Sequence, residues 1–228
     1  MKDQYFGDAR DYLEYHLLEE LLDSVPGPER LVCLWMLTAP DGTREGSVRF
    51  VESPELPELT SFLHRHRDSG DRRVWHMREY FESRRIAYTP WRDERPYFTR
   101  ERRAAYFRGL PDDVLRHALL FFDPDNGLTA GVPSPKHLSF DELLGVHRRT
   151  DDQSLLVVYQ HFQRKPRFWD AMAAELRLRV DAAVGYVAEP AVGFYVIAAN
   201  RGQIPAIDGA LARVAAAGRR RLVGLTRG

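Results

Sequence analysis

Apolar positions recur along this chain with two different periods. In "DYLEYHLLEELL", residues 11 to 22, Leu13, Leu17, Leu18, Leu21 and Leu22 fall on one helical stripe with acids on the other side. An amphipathic helix is predicted there, stopped by "SVPGPE". The next run, "LVCLWML" at 31 to 37, is continuously apolar and bounded by Pro and Gly clusters, which suits a buried strand ending in the turn "TAPDGT". Residues 55 to 85 read as mostly helical and Arg-rich, "IAYTP" as a short strand, and 99 to 116 as another helix.

The second half alternates more regularly. "HALLFFD" and "SLLVVYQHF" are predicted buried strands, and each is followed by a helix. The first of these helices opens with Ser139 as N-cap and Glu142 three residues on, the pattern of a capping box. The second is carried by "KPRFWDAMAAELRLRV". "AAVGYVA" and "AVGFYVIAAN", separated by Glu189-Pro190, are expected to pair antiparallel before a last helix at about 203–217. Alternating buried strands and helices imply α/β architecture: a three-layer Rossmann-like sandwich with a mostly parallel sheet and a C-terminal antiparallel edge hairpin. A single domain is expected over 1–228, with an Arg- and aromatic-rich, mainly helical elaboration at about 55–112.

Composition narrows the class. With 44% hydrophobic and 29% charged residues and a formal net charge of zero, the chain has globular composition. The lone Cys33 excludes an intramolecular disulfide and a cysteine-rich zinc site, and is expected to act as a small buried hydrophobe. No apolar run reaches the roughly 20 residues of a membrane span, and the start is too charged for a secretory signal, so a cytoplasmic protein without a membrane partner is expected. Charge is uneven, however. Residues 64 to 108 carry 13 Arg against 7 acids, interleaved with aromatic rings, a mixture that suits nucleic acid. The competing expectation is aromatics packed inward with the arginines left wet.

Candidate chemistry gathers where buried strands end. Ligands in open parallel sheets sit beyond the carboxyl ends of the strands, and "FFDPDNGL" places Asp123, Asp125 and Asn126 there. Asp123 and Asp125 could hold Mg²⁺ or Mn²⁺ as hard oxygen ligands, a third acid coming from Asp8, Asp41 or Glu142. Equally, Asp-Pro-Asp-Asn-Gly is turn chemistry that needs no ligand. The next strand brings Tyr159, Gln160 and His161 to the same rim, with His161 as candidate base and Tyr159, Gln160 and Lys136 as substrate-binding candidates. Lys136 is also expected to neutralise Asp125 or meet a phosphate. Phe6 and Asp8 are read as fastening and capping the first helix, in preference to a catalytic role for Lys2, Asp3 or Asp8. Dinucleotide, P-loop and nucleophile-elbow motifs are absent.

The alternation that closes the chain, strand, helix, strand, helix and hairpin, resembles the ending of class I S-adenosylmethionine-dependent methyltransferases. In addition, Asp123-Pro124 resembles the start of the Asp/Asn-Pro-Pro-aromatic motif of amino-group methyltransferases, although Asp125 and Asn126 stand where the second Pro and the aromatic would be. That resemblance implies S-adenosylmethionine as cofactor, with Trp35, Asp41 and Gly42 near it, and Asp123 and Asn126 orienting an acceptor on a nucleic acid or nucleotide-containing substrate. The first strand lacks the glycine-rich turn expected at such a cofactor site. "MKDQYFGDARDYLEYHLL", "LLFFDPDNGL" with "SPKHLSFDEL", and "LLVVYQHFQR" together resemble a family of uncharacterised bacterial proteins of similar length. The layout is also distantly similar to the methyltransferase-like three-Cys-motif partner proteins. The alternatives that stay open are a divalent-metal phosphoesterase or nuclease on the same rim, and a non-catalytic binding module.

Overall fold

The structure is a computed structural model that describes residues 2–42, 56–92, 96–217 and 222–225. Residues 93–95 of the Arg-rich stretch, and residue 55 at the start of the expected elaboration, lie outside the described residues.

The first helix, α1 (Ala9–Ser24), leads to β1 (Arg30–Trp35). Next come α2 (Pro57–Ser69), α3 (Met77–Ser83) and β2 (Tyr88–Trp91). Where one helix was expected over 99–116, the chain forms α4 (Arg103–Arg108) and a separate 3₁₀ turn at Asp112–Leu115, because Gly109 and Pro111 interrupt it. β3 (Ala118–Asp123) follows, then two three-residue strands, β4 (Gly127–Thr129) and β5 (His137–Ser139), that the sequence did not indicate. α5 (Phe140–His147) begins with the capping box formed by Ser139 and Glu142. β6 (Leu155–His161), α6 (Phe168–Val180), β7 (Ala183–Ala188), β8 (Val192–Ala198), α7 (Ile204–Ala216) and β9 (Leu222–Gly224) complete the order.

Among the described residues, seven strands form one sheet in the order β2-β1-β3-β6-β8-β7-β9, and β4 pairs with β5 in a small parallel sheet. β2, β1, β3 and β6 run parallel, while β8 is antiparallel to both β6 and β7. The C-terminal hairpin is thus antiparallel as expected, but β9 pairs with β7 on its outer side, so the hairpin does not end the sheet. The Arg-rich segment is likewise no mere appendage, since it supplies the edge strand β2.

Strand parity builds the two cores. Leu31, Cys33, Leu119, Phe121, Leu155 and Val157 point to one face and pack with α1, α2, α3 and α7. Val32, Leu34, Leu120, Phe122, Leu156 and Val158 point to the other, under α4, α5 and α6. Both faces are covered, which explains why the central strands read as unbroken apolar runs. Cys33 is fully buried and makes no disulfide. No described helix is long and apolar enough to cross a membrane.

Most of the Arg-rich segment's aromatics turn inward. Tyr80, Phe81, Phe98, Tyr106 and Phe107 are buried, whereas Trp75 is exposed. Its arginines largely meet acids or line a cavity: Arg65 pairs with Glu79, Arg73 with Asp71, and Arg84 with Glu19 and Glu58.

Candidate functional site

A cavity of about 150 Å³ opens at the carboxyl ends of β1, β3 and β6. Asp123, Pro124, Asp125, Asn126, Tyr159 and His161 line it from the strand ends, and Lys136 and Asp41 from neighbouring loops. The rest of its wall comes from the N-terminal segment and α1: Lys2, Tyr5, Asp8, Arg10, Asp11 and Glu14.

Residues 2–8 reach this place because two backbone devices hold them. Gly7 has φ +88°, a conformation that glycine adopts without strain, and its N–H donates to Asp11 Oδ2 at 2.6 Å. Asp8 then caps α1 by accepting from the N–H groups of Arg10 and Asp11. Phe6 is fully buried against the rings of His66 and His76, which fastens the segment to α2 and to the turn before α3.

The helix is not amphipathic in the expected sense. Asp11, Glu14 and Glu19 are buried along with its leucines, so the acidic side does not face water. Glu19 is answered by the Tyr80 hydroxyl and Arg84. Asp11 and Glu14 instead turn to the cavity, and Glu14 Oε1 accepts no hydrogen bond among the described residues.

Among the described residues, six carboxyl side chains therefore surround this space, Asp8, Asp11, Glu14, Asp41, Asp123 and Asp125, against Lys2, Arg10 and Lys136. Burial raises the carboxyl pKa values. Asp123 is pushed up to about 7, first by desolvation and then by the Asp125 charge. Desolvation lifts Glu14 well above the usual range, reinforced by the charges of Asp123 and Asp11. Asp11 is raised by burial and by Asp8. His161 moves the other way, lowered to about 4 by burial and by the Arg10 charge, so its imidazole is neutral at physiological pH. Its Nε2 lies 3.1 Å from the Tyr159 hydroxyl.

At the rim, Lys2 forms an ion pair with Asp41 and lies 3.9 Å from Asp125, whose Oδ2 also accepts from Thr38 at the end of the first strand. Burial pulls the Lys2 ammonium down, but the bond to Asp41 and the Asp125 charge outweigh it and raise its pKa. Lys2 is thus a cation beside Asp125. Lys136 approaches Asp41, at 3.8 Å, with its side chain half in solvent.

Three other expectations meet a different arrangement. Gln160 is fully buried, and its carboxamide accepts from the Leu128 N–H at 2.8 Å and donates to the carbonyls of Asn126 and His161. Its carboxamide braces the loop through these three backbone groups. Glu142 is not a third acid beside Asp123, because Arg103 holds it at 2.7 Å while also donating to the carbonyls of Ser134 and His137. The expected cofactor residues do not come together either: Asp41 lines the acidic cavity, Trp35 lines a second one, and Gly42 lines neither.

That second cavity, of about 230 Å³, is bounded by Trp35, Pro96, Tyr97, Phe98, Ala105 and Tyr106, with Arg92 and Arg102. Trp35 itself is fully buried, its indole N–H donating to the Tyr88 hydroxyl at 3.1 Å. The sequence pointed to Asp123, Asp125, Asn126, Tyr159, His161, Lys136 and Asp41 at the acidic site; it did not point to Asp11 and Glu14, which the α1 leucine stripe made look like a wet face.

A scan against protein-family models finds no match to this chain, and a search of curated proteins finds no significant relative.

Proposed function

We propose that the chain is an S-adenosylmethionine-dependent methyltransferase-like enzyme whose acceptor is an amino group on a nucleic acid or nucleotide-containing substrate. One observation carries this reading: the Asp123-Pro124 turn ends a central parallel strand and faces a cavity, in a sheet whose parallel strands are followed by a helix and the antiparallel pair β7 and β8, with β9 added outside β7. When bound, the cofactor supplies a methyl group on a positively charged sulfur. The residues present fit such a group, because among the described residues the cavity's carboxyls outnumber its cations, Glu14 Oε1 is unanswered, and a bound cation would favour the ionised form that burial disfavours. The aromatic cavity beside the ends of β1 and β2 offers flat surfaces for a base, and Arg92 and Arg102 offer guanidinium groups for an anionic substituent. Asp123 and the carbonyls of its loop would accept hydrogen bonds from the acceptor amine. The neutral His161 would take the proton that the nitrogen releases.

A second reading, a divalent-metal phosphoesterase or nuclease, is favoured by the extra acids that α1 brings near Asp123, whose charge acts on both Asp11 and Glu14. Against it, only His66, His76 and Glu79, among the described residues, bring three ligand atoms within 4.8 Å of one another, and none of them lines this cavity.

Calorimetric titration with S-adenosylhomocysteine, run beside Mg²⁺ and Mn²⁺, separates the two. Micromolar binding of the nucleoside that weakens in Asp123→Ala supports methyl transfer. No nucleoside binding, with metal binding that depends on Asp123, would replace it by phosphodiester cleavage.

A further inference from the structure

On the far side of α1's N-terminal segment, α2 and the turn before α3 bring together a second polar cluster. His66 comes from the last turn of α2, His76 from the 3₁₀ turn at Val74–His76, and Glu79 from the first turn of α3. Their ligand atoms all lie within 4.8 Å of one another. His76 and Glu79 are three residues apart at a helix start, a spacing that puts both on one face.

His66 makes the arrangement hard to explain as packing alone. It is 8% exposed, and its Nε2 has no hydrogen-bond partner among the described residues. A buried polar nitrogen without a partner costs free energy. Its rings are Phe6, Phe62 and His76, none of which answers that nitrogen.

We infer that His66, His76 and Glu79 form a binding site for a borderline transition-metal ion, with Zn²⁺ as the best-suited divalent cation. Imidazole nitrogens with one carboxylate are a donor set that zinc favours, and four-coordinate geometry leaves room for a further oxygen. Asp71 lies beside that position, its Oδ2 2.9 Å from His76 Nε2, and would have to exchange its bond from Arg73 to supply it; water is the alternative. The two imidazoles stack with centroids 4.0 Å apart and planes inclined by 25°. Convergence on one ion therefore requires rotation about the terminal side-chain torsion, which is broad in histidine. A bound ion would lock α2 to α3 beneath Phe6. Asp3 also caps the Val74 N–H at 3.1 Å, so the lock would extend to the segment that walls the acidic cavity.

The test is titration of tag-free, chelator-treated full-length protein with ZnCl₂, followed by calorimetry and thermal melting, and with CoCl₂, followed by visible absorption. One equivalent should bind the wild type, raise its melting temperature, and give the intense d–d bands of a low-coordinate cobalt site. His76→Ala should abolish the bands and the thermal shift. Glu79→Gln, at an exposed position, should weaken binding tenfold or more while leaving the metal-free melting temperature unchanged. Absence of one-equivalent binding to the wild type would overturn the proposal. So would binding that survives His76→Ala and disappears in Asp123→Asn, which would move the ion to the acidic cavity.

Discussion

Gln160 and Gly127 are locked together: a methyl group added to Gly127 would collide with the Gln160 carboxamide, whose oxygen accepts from the next N–H in the chain. Gly127 also has φ +99°, which side-chain-bearing residues rarely adopt. Gly127→Ala therefore adds backbone strain of about 1–3 kcal/mol to a collision with a fully buried neighbour. Gln160→Leu should cost on the order of 1–3 kcal/mol for the Leu128 N–H it strands, plus the lost bonds to two carbonyls. Urea unfolding of each variant checks both. Similar losses would mark the pair as one brace, whereas an unaffected Gln160→Leu would refute it.

Asp123 and His161 give opposite pH signatures. A carboxyl raised from 3.8 to about 7 binds a proton in the folded state that the unfolded state has released, so its contribution is full below about pH 4 and is lost as pH rises through 7. The change amounts to roughly 4 kcal/mol across that window. A histidine lowered from 6.5 to about 4 does the reverse: its contribution is present above 6.5 and is lost as pH falls through 4. Relative to wild type, Asp123→Asn should gain stability steadily from about pH 4 to 7, and His161→Asn should lose it from about pH 4 to 6.5. Denaturation at several pH values, compared as differences, checks the sign of each. Parallel curves for wild type and variant would show that the group does not titrate as assigned.

Arg103 supports the opposite wall of the loop. It is buried, binds Glu142 with two nitrogens and donates to two loop carbonyls, while Glu142 also completes the α5 capping box. Stranding Glu142, which keeps part of its solvent contact, together with two loop carbonyls costs about 1–3 kcal/mol. Arg103→Ala should lose that much in urea unfolding and speed amide exchange across residues 134–139. Arg103→Lys should recover only part, since an ammonium cannot reproduce the planar fork.

The strands were legible because strands buried on both faces are apolar at every position, and the capping box because its two side chains are local. What escaped was set by burial from distant elements. β4, β5 and β9 have three residues each, too few for any period to register. Parity would have corrected Gln160, however. Asp123 shares its face with Phe121, and Tyr159 and His161 share theirs with Val157, all toward α1; Gln160 alternates away with Val158, beneath the loop. The acids of α1 left a weaker signal. Tyr12, Tyr15 and His16 interleave with Asp11 and Glu14, and a fully solvated face has no use for those rings.

Glu14 ties stability to function most directly. Its carboxyl is 2% exposed, Oε1 has no hydrogen-bond partner among the described residues, and Asp123 and Asp11 add their charge to the desolvation that disfavours ionisation. Glu14→Gln keeps the shape and removes the charge. At pH 8 the variant should be more stable than wild type, because it no longer carries a carboxyl whose ionisation burial disfavours. If the cavity is built to receive the cationic sulfur of the cofactor, the same substitution should weaken S-adenosylmethionine binding tenfold or more, because functional sites commonly hold groups that the fold alone would reject. Paired urea unfolding and calorimetry decide between the roles. Higher stability with unchanged nucleoside affinity would leave Glu14 a buried acid outside the binding site, and lower stability would show that the folded protein already satisfies its charge.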